Sequence, residues 1–250
     1  MSIIHTFDAD GEGIMNPNAV VEKNENLPET VLVFFSRKFE TLLCKTFEAE
    51  QIGYMVSGQA LPIYRFEYSG KPLAFYPSPI GGPAAVALLE EIIAMGAKNI
   101  LFFGSCGALD KEIVSGNVIV PTAAYRDEGT SYHYAPASDY IEIKTADRLG
   151  EIFDEMNIAY RKAKIWTTDA VYRETQKNAE LRKKDGCAAV DMECASIMAC
   201  GQFRNVNVYQ FVYAADCLDG GTWDTRILGA MPDDLRERIL KVALETAIRL

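Results

Sequence analysis

Apolar positions along this chain switch repeatedly between a period of two or less and a period near 3.6. Thr30 to Phe35 is rich in β-branched and aromatic residues and predicts a core strand. Phe39, Leu42, Leu43 and Phe47 then recur at helical spacing. Ile63 to Tyr68 and Lys71 to Tyr76 flank Ser69-Gly70, a two-residue hairpin signal. Pro83 to Met95 predicts a helix stopped by Gly96, and Ile100 to Phe103, apolar on both faces, a central strand. Val118 to Pro121 and Ala163 to Thr167 read as short strands, separated by a polar, aromatic loop (Arg126 to Pro136) and a helix (Ala146 to Met156). Gln176 to Lys184 reads as a charged helix. A strand-like run then ends at Asp191, Ala195 to Phe203 is a buried helix, Val206 to Ala214 a strand, and Pro232 to Leu250 an amphipathic helix.

Strands alternating with helices, plus one early hairpin, predict a single-domain three-layer α/β/α fold with a mixed central sheet. Residues 1–28 are broken by Gly11, Gly13, Pro17 and Pro28 and read as an N-terminal extension on the surface, with the domain spanning 29–250. No repeat or linker divides that span.

Composition narrows the function classes. With 250 residues and a net charge of −10, the chain is large enough for a substantial core and a poor partner for nucleic acid, which needs a basic face. No apolar run approaches a membrane span, and no signal-like segment opens the chain. The six cysteines form no C-x-x-C pair, and His5 and His133 lie far apart, so no metal site is expected. Scattered cysteines of this kind fit reduced thiols in a cytoplasmic protein.

Candidate chemistry gathers at three strand ends. Asp191-Met192-Glu193 stands where a strand gives way to a helix, a common ligand address in α/β proteins. Glu193 offers two acceptor oxygens and no donor, which suits the paired hydroxyls of a ribose; alternatively both carboxylates only complement the helix dipole. Gly104-Ser105-Cys106-Gly107 reads as a loop after a buried strand, where glycines permit close backbone approach and an anion nest, or simply a tight turn. Asp216 ends the third strand and precedes Cys217-Leu218-Asp219-Gly220-Gly221, where it either acts on a ligand or starts a turn.

Ile80-Gly81-Gly82-Pro83, Gly104-Ser105-Cys106-Gly107, Thr167-Thr168-Asp169-Ala170-Val171-Tyr172, Asp191-Met192-Glu193 and Ala214-Ala215-Asp216 occur in an order and spacing that resemble the nucleoside phosphorylase family. That family includes uridine phosphorylase, hexameric purine nucleoside phosphorylase and the methylthioadenosine nucleosidases, and the resemblance covers roughly residues 30 to 250. It implies cleavage of a nucleoside's N-glycosidic bond by orthophosphate as co-substrate, without metal or organic cofactor. Glu193 and Met192 would hold the ribose, with His133 reaching the 5′-hydroxyl across a subunit interface. Gly104 and Ser105 would hold phosphate. Val171, Tyr172, Cys106, Gly107 and Asp216 would surround the base, and Asp216 would be the acid that serves a purine leaving group, with Arg226 assisting it. Family members form dimers or trimers of dimers, so a homo-oligomer is expected.

The chain also departs from that pattern. Phe102 stands where the phosphorylases carry a phosphate-binding arginine, and Ser36-Arg37-Lys38 replaces their Pro-Gly-Asp-Pro-like loop and its arginine. Arg65 does not align with a third. Ser36 and Arg37, with Lys38, are the available substitutes. Three rival readings stay open: a uridine phosphorylase, a nucleosidase using water, for which Glu40 is the nearest carboxylate to the expected place, and a non-catalytic nucleoside-binding protein.

Overall fold

The computed structural model describes residues 2–58 and 60–250. Its elements follow in the order β1 (Thr30–Phe34), α1 (Arg37–Thr46), β2 (Glu50–Tyr54), β3 (Pro62–Tyr68), β4 (Lys71–Pro77), α2 (Gly82–Ala94), β5 (Asn99–Ala108) and β6 (Val118–Asp127). There follow β7 (Tyr140–Glu142), α3 (Ala146–Glu155), β8 (Tyr160–Thr168), α4 (Gln176–Lys184), β9 (Cys187–Asp191), α5 (Cys194–Phe203), β10 (Asn207–Cys217) and α6 (Asp233–Ala247). The architecture is the expected mixed α/β fold. β3 and β4 form the hairpin around Ser69 and Gly70, both at positive φ. β2 and β7 had no clear sequence signal: neither strand alternates strongly, and β2 is mostly exposed.

Among the described residues all ten strands belong to one mixed sheet, in the order β10-β6-β8-β9-β5-β1-β4-β3-β2, with β7 on β6. β5 also pairs with β10, so β5, β10, β6, β8 and β9 close into a ring at one end of the sheet. Phe103 and Phe211 stack at 5.5 Å in the centre and meet Phe39 of α1 and Phe153 of α3. α2 packs on α5, and α3 on α6. Gly82 permits the first approach, because a Cβ there would collide with Ser196. Ahead of β1, Val21 is buried, Phe7 meets Phe203 edge-on, and the amide of Asn24 bonds the carbonyl of Met95 at 3.0 Å.

The pairing of β5 creates the opening that matters. Along one edge it follows β10 from Asn99 to Ala108. Along the other it pairs with β1 only as far as Phe103, then with β9 from Gly107. Over Gly104–Cys106 that second edge has no strand beside it, and Ser105 is exposed between buried neighbours. The segment read as a loop is therefore strand. The glycines serve packing: a Cβ on Gly104 would lie 2.8 Å from the Phe35 ring, and one on Gly107 2.6 Å from Leu218. Likewise β6 runs on to Asp127, so the expected Arg126–Pro136 loop starts later; Arg126 is buried and bonds Ser131 Oγ at 2.8 Å.

Candidate functional site

The C-terminal ends of β1, β4, β5, β8, β9 and β10 converge on one cleft, the usual ligand position in an open α/β sheet. It consists of three adjoining cavities. An inner one of about 430 Å³ is lined by Ser36, Arg37, Lys38, Gly104, Ser105 and Arg236 among others. A central one of about 170 Å³ holds Ser105, Cys106, Gly107, Met192, Glu193 and Asp216. An outer one of about 380 Å³ is bounded by Val171, Tyr172, Asp216, Thr222 and Trp223. Phe35, Ile80, Ser105 and Leu228 join the first two, and Val171, Glu174, Asp216, Leu218 and Leu228 join the last two.

The two carboxylates after β9 have different surroundings. Asp191 accepts from Thr167 Oγ1 (2.8 Å), the amide of Cys194 (2.9 Å) and Gln210 Nε2 (3.2 Å). It is a capping group for α5, with its oxygens committed to protein donors. Glu193 is buried and accepts one protein hydrogen bond at Oε1, from the amide of Gly81 at 2.7 Å. Gly81 sits at φ +103, a backbone conformation that favours glycine, and this aims its N–H at Glu193. Burial first, and the neighbouring Asp191 charge second, raise the proton affinity of Glu193. Donors arriving from a ligand would relieve that strain.

Asp216 is positioned by an irregularity. β10 slips register between Ala214 and Asp216, an extra residue that re-aims the following side chain, and Asp216 faces the cleft. Its Oδ2 accepts from Trp223 Nε1 at 2.7 Å, and burial raises its proton affinity. Arg226, expected beside it, instead donates to Asp224 at 3.1 Å and to the carbonyls of Ile113 and Lys111. The indole of Trp223 is the hydrogen-bond donor at Asp216, and Arg226 acts on that carboxylate through its charge alone.

Ser36, Arg37, Gly104, Ser105, Cys106, Gly107, Val171, Tyr172, Met192, Glu193 and Asp216 all border the cleft. His133 does not border its own chain's cleft: it is exposed at the end of the short turn Thr130–His133, and its expected place was in a second subunit's cleft. Phe102 is fully buried, with Phe35 stacked on it at 6.2 Å, so the arginine's place is occupied by apolar packing. Two charged bordering residues had no signal in the sequence, nor had Trp223 and Leu228. Arg236, on α6, faces the inner cavity with its guanidinium held by Asp233 and by the carbonyl of Met231 at 2.8 Å. It sits in an amphipathic helix among other charges and had no local signal. Glu174 follows the Val171–Arg173 turn, and its carboxyl is pushed up to about 7 by burial and the Asp216 charge.

The cleft is polarised. Arg37, Lys38 and Arg236 line the inner end, and among the described residues no carboxylate does. The central and outer cavities carry Asp191, Glu193, Glu174 and Asp216 and no lysine or arginine among those residues. Among the described residues no group of three or more His, Cys, Asp or Glu is placed to hold a metal ion. No helix among them is long and apolar enough to cross a membrane.

A sequence profile described as the phosphorylase superfamily matches residues 30–249. A guanosine phosphorylase of Halorubrum lacusprofundi is 28% identical over 192 residues, 75% of this chain and 77% of that protein. Among solved structures, a purine nucleoside phosphorylase of Toxoplasma gondii in complex with immucillin-H superposes with a TM-score of 0.76 at 19% identity, over 95% of this chain and 97% of that one. A uridine phosphorylase of Vibrio fischeri ES114 gives 0.75 at 17% identity, over 96% and 100%. The two structures share this fold.

Proposed function

Since the chain belongs to the phosphorylase superfamily, we propose that it is a pentosyltransferase that cleaves a purine nucleoside with orthophosphate, releasing the base and ribose 1-phosphate. The observation that carries this reading is the charge layout of the cleft. An acceptor end with three cations and, among the described residues, no carboxylate suits a phosphate dianion. The resemblance to the nucleosidases implies a carboxylate early in the first helix to position water. Glu40 is engaged by Arg37 at 2.9 Å and does not line that cavity.

The steps follow from the residues. Phosphate sits against Ser105, the open edge of β5 and the Arg37, Lys38 and Arg236 cations. Glu193 accepts the two ribose hydroxyls while Met192 packs on the sugar. As the glycosidic bond breaks, positive charge grows on the sugar beside the Glu193 carboxylate. That attraction is stronger in the transition state than in the ground state, so it accelerates the step. The departing purine gains electrons and needs a proton or a donor. Asp216, whose burial favours the protonated form, supplies it from Oδ1 while Trp223 holds Oδ2. A purine rather than a pyrimidine fits an acid at this place, and the guanosine phosphorylase relative supports that choice. The 380 Å³ outer cavity, with Val171, Leu218 and Leu228 as apolar walls, has room for a bicyclic ring.

We take the enzyme to be a homo-oligomer. Tyr172 stands 97% exposed at the rim of the cleft, and Ile14, Met15, Tyr54 and Val56 are exposed apolar side chains that a second subunit would cover. The test is the rate of base release from inosine and guanosine against phosphate concentration. The rate should saturate with phosphate and fall to background without it. Release that ignores phosphate would replace this reading with a nucleosidase, and binding without release would replace it with a nucleoside-binding protein.

A further inference from the structure

We propose that Glu128 is a positioning residue for Glu193: it fixes the amino end of α5 against α2 and so sets the carboxylate that grips the sugar. The inference rests on the sugar role of Glu193 and adds the group that holds it in place. Glu128 directly follows β6, is 8% exposed and lines none of the three cavities, so it touches no substrate in the cleft. Its carboxylate instead collects three donors. Two come from the Thr130–His133 turn, the amide of Ser131 at 2.9 Å and the Ser131 hydroxyl. The third is Ser196 Oγ of α5 at 2.6 Å. Arg126 Nε donates in turn to Ser131 Oγ at 2.8 Å, so a buried guanidinium stands one hydroxyl away from the buried carboxylate.

Ser196 lies in the first turn of α5, whose N-cap residue is Glu193. Two bonds to backbone fix where that helix begins: the amide of Cys194 to Asp191 at 2.9 Å, and the amide of Ala195 to Thr167 Oγ1 at 3.0 Å. The Ser196–Glu128 bond adds a side-chain tether to the turn after β6. Gly82 seats on the same hydroxyl: a Cβ there would lie 2.3 Å from Ser196 Oγ and 3.6 Å from Thr130 Oγ1. Gly82 opens α2, and its neighbour Gly81 supplies the amide that Glu193 accepts at 2.7 Å. One hydroxyl, oriented by Glu128, thus sets both the helix that carries Glu193 and the turn that donates to it.

A carboxylate suits this post. It offers acceptor sites only, so three converging donors meet no donor in return. Hydrogen bonds to an ionised group are also about twice as strong as neutral ones. Glutamine has nearly the same shape, but its amide nitrogen must turn toward one of these donors, and that side of the junction opens. A shift of about 1 Å in a group that must match a transition state costs about a hundredfold in rate.

The test is a double-mutant cycle of Glu128→Gln with Glu193→Gln. It is read by kcat/KM for guanosine phosphorolysis, by the calorimetric Kd of guanosine without phosphate, and by melting temperature. Glu128→Gln alone should lose about ten- to a hundredfold in kcat/KM, with the phosphate KM within about twofold of wild type. Added to Glu193→Gln it should lose less than about twofold more, because the group it acts through is already gone. A merely structural role would lower melting and multiply the two losses. Ser196→Ala removes the same tether from the other side and should reproduce the cycle, and it decides the matter if Glu128→Gln does not fold. Multiplied losses, or Glu128→Gln and Ser196→Ala both within about twofold of wild type, would overturn the assignment. Without turnover the same cycle is read on Kd. Glu193→Gln indistinguishable from wild type would overturn the sugar reading and this assignment with it, so the two failures give different results.

Discussion

Arg236→Gln should raise the KM for phosphate by about 12- to 140-fold. The figure comes from losing one charge-assisted hydrogen bond to the dianion, about 1.5–3 kcal/mol, with about 1.4 kcal/mol per tenfold. Arg236 merits the full range because its side chain is 11% exposed and pinned by Asp233 and the Met231 carbonyl, so little freedom is lost on binding. Arg37 is 61% exposed and engaged by Glu40. Water screens it, and Arg37→Ala should cost about 0–1 kcal/mol, at most about fivefold. The assay is initial velocity against phosphate at saturating nucleoside, with the nucleoside KM as internal control, expected to move less than about twofold. Arg236 also anchors the first turn of α6, so melting temperature is measured alongside. Asp233→Asn loosens that anchor without removing the cation; it should shift melting comparably while raising the phosphate KM far less than Arg236→Gln does. A phosphate KM for Arg236→Gln within twofold of wild type, with a larger rise for Arg37→Ala, would refute the reasoning.

Further outcomes follow from the other side chains. Glu193→Gln should cut kcat by about 10²–10³-fold with little change in phosphate KM, measured by steady-state kinetics. The folded state raises the proton affinity of Glu193 above its unfolded value near 4.5, so its favourable contribution is full below that pH and is lost as pH rises through the folded pKa. Melting of the ligand-free wild type should therefore fall relative to Glu193→Gln between pH 5.5 and pH 8.5; parallel curves would mean that Glu193 is not penalised by burial. Asp216→Asn should slow guanosine cleavage by about 10²–10⁴-fold and spare 7-methylguanosine, whose ring nitrogen is already cationic; equal losses on both would assign Asp216 to structure or sugar. Gly104→Ala should destabilise by about 1–3 kcal/mol, because its Cβ would lie 2.8 Å from the Phe35 ring, and unchanged thermal melting would show that Phe35 yields freely.

The fold was legible where apolar runs or turn signals were strong: β1, the Ser69-Gly70 hairpin and α2 stand where the sequence places them. β2 escaped because an exposed edge strand needs no apolar alternation. The Gly104–Gly107 error has a physical source, since glycines that make room for Phe35 and Leu218 look the same in sequence as glycines that make a turn. Residues contiguous with a strand end, such as Met192, Glu193, Ser105 and Asp216, could be found because the fold class dictates where strand ends gather. Arg236 and Glu174 could not, because their place in the cleft depends on how α6 and the turn after β8 pack back over it. The Arg226 hydrogen bonds were hidden for the same reason: they go to Asp224 and the carbonyls of Ile113 and Lys111, and only its charge reaches Asp216.

The central claim is that the acceptor end of the cleft presents phosphate, not water, to the sugar. Cleavage of guanosine in ¹⁸O-enriched water containing ordinary phosphate, with the sugar product followed by mass spectrometry and ³¹P NMR, tests it most directly. Phosphorolysis gives ribose 1-phosphate without ¹⁸O at C1, because the oxygen joined to the sugar comes from the phosphate held at Ser105 and Arg236. Free ribose as the initial sugar product, with no ribose 1-phosphate formed, would contradict it.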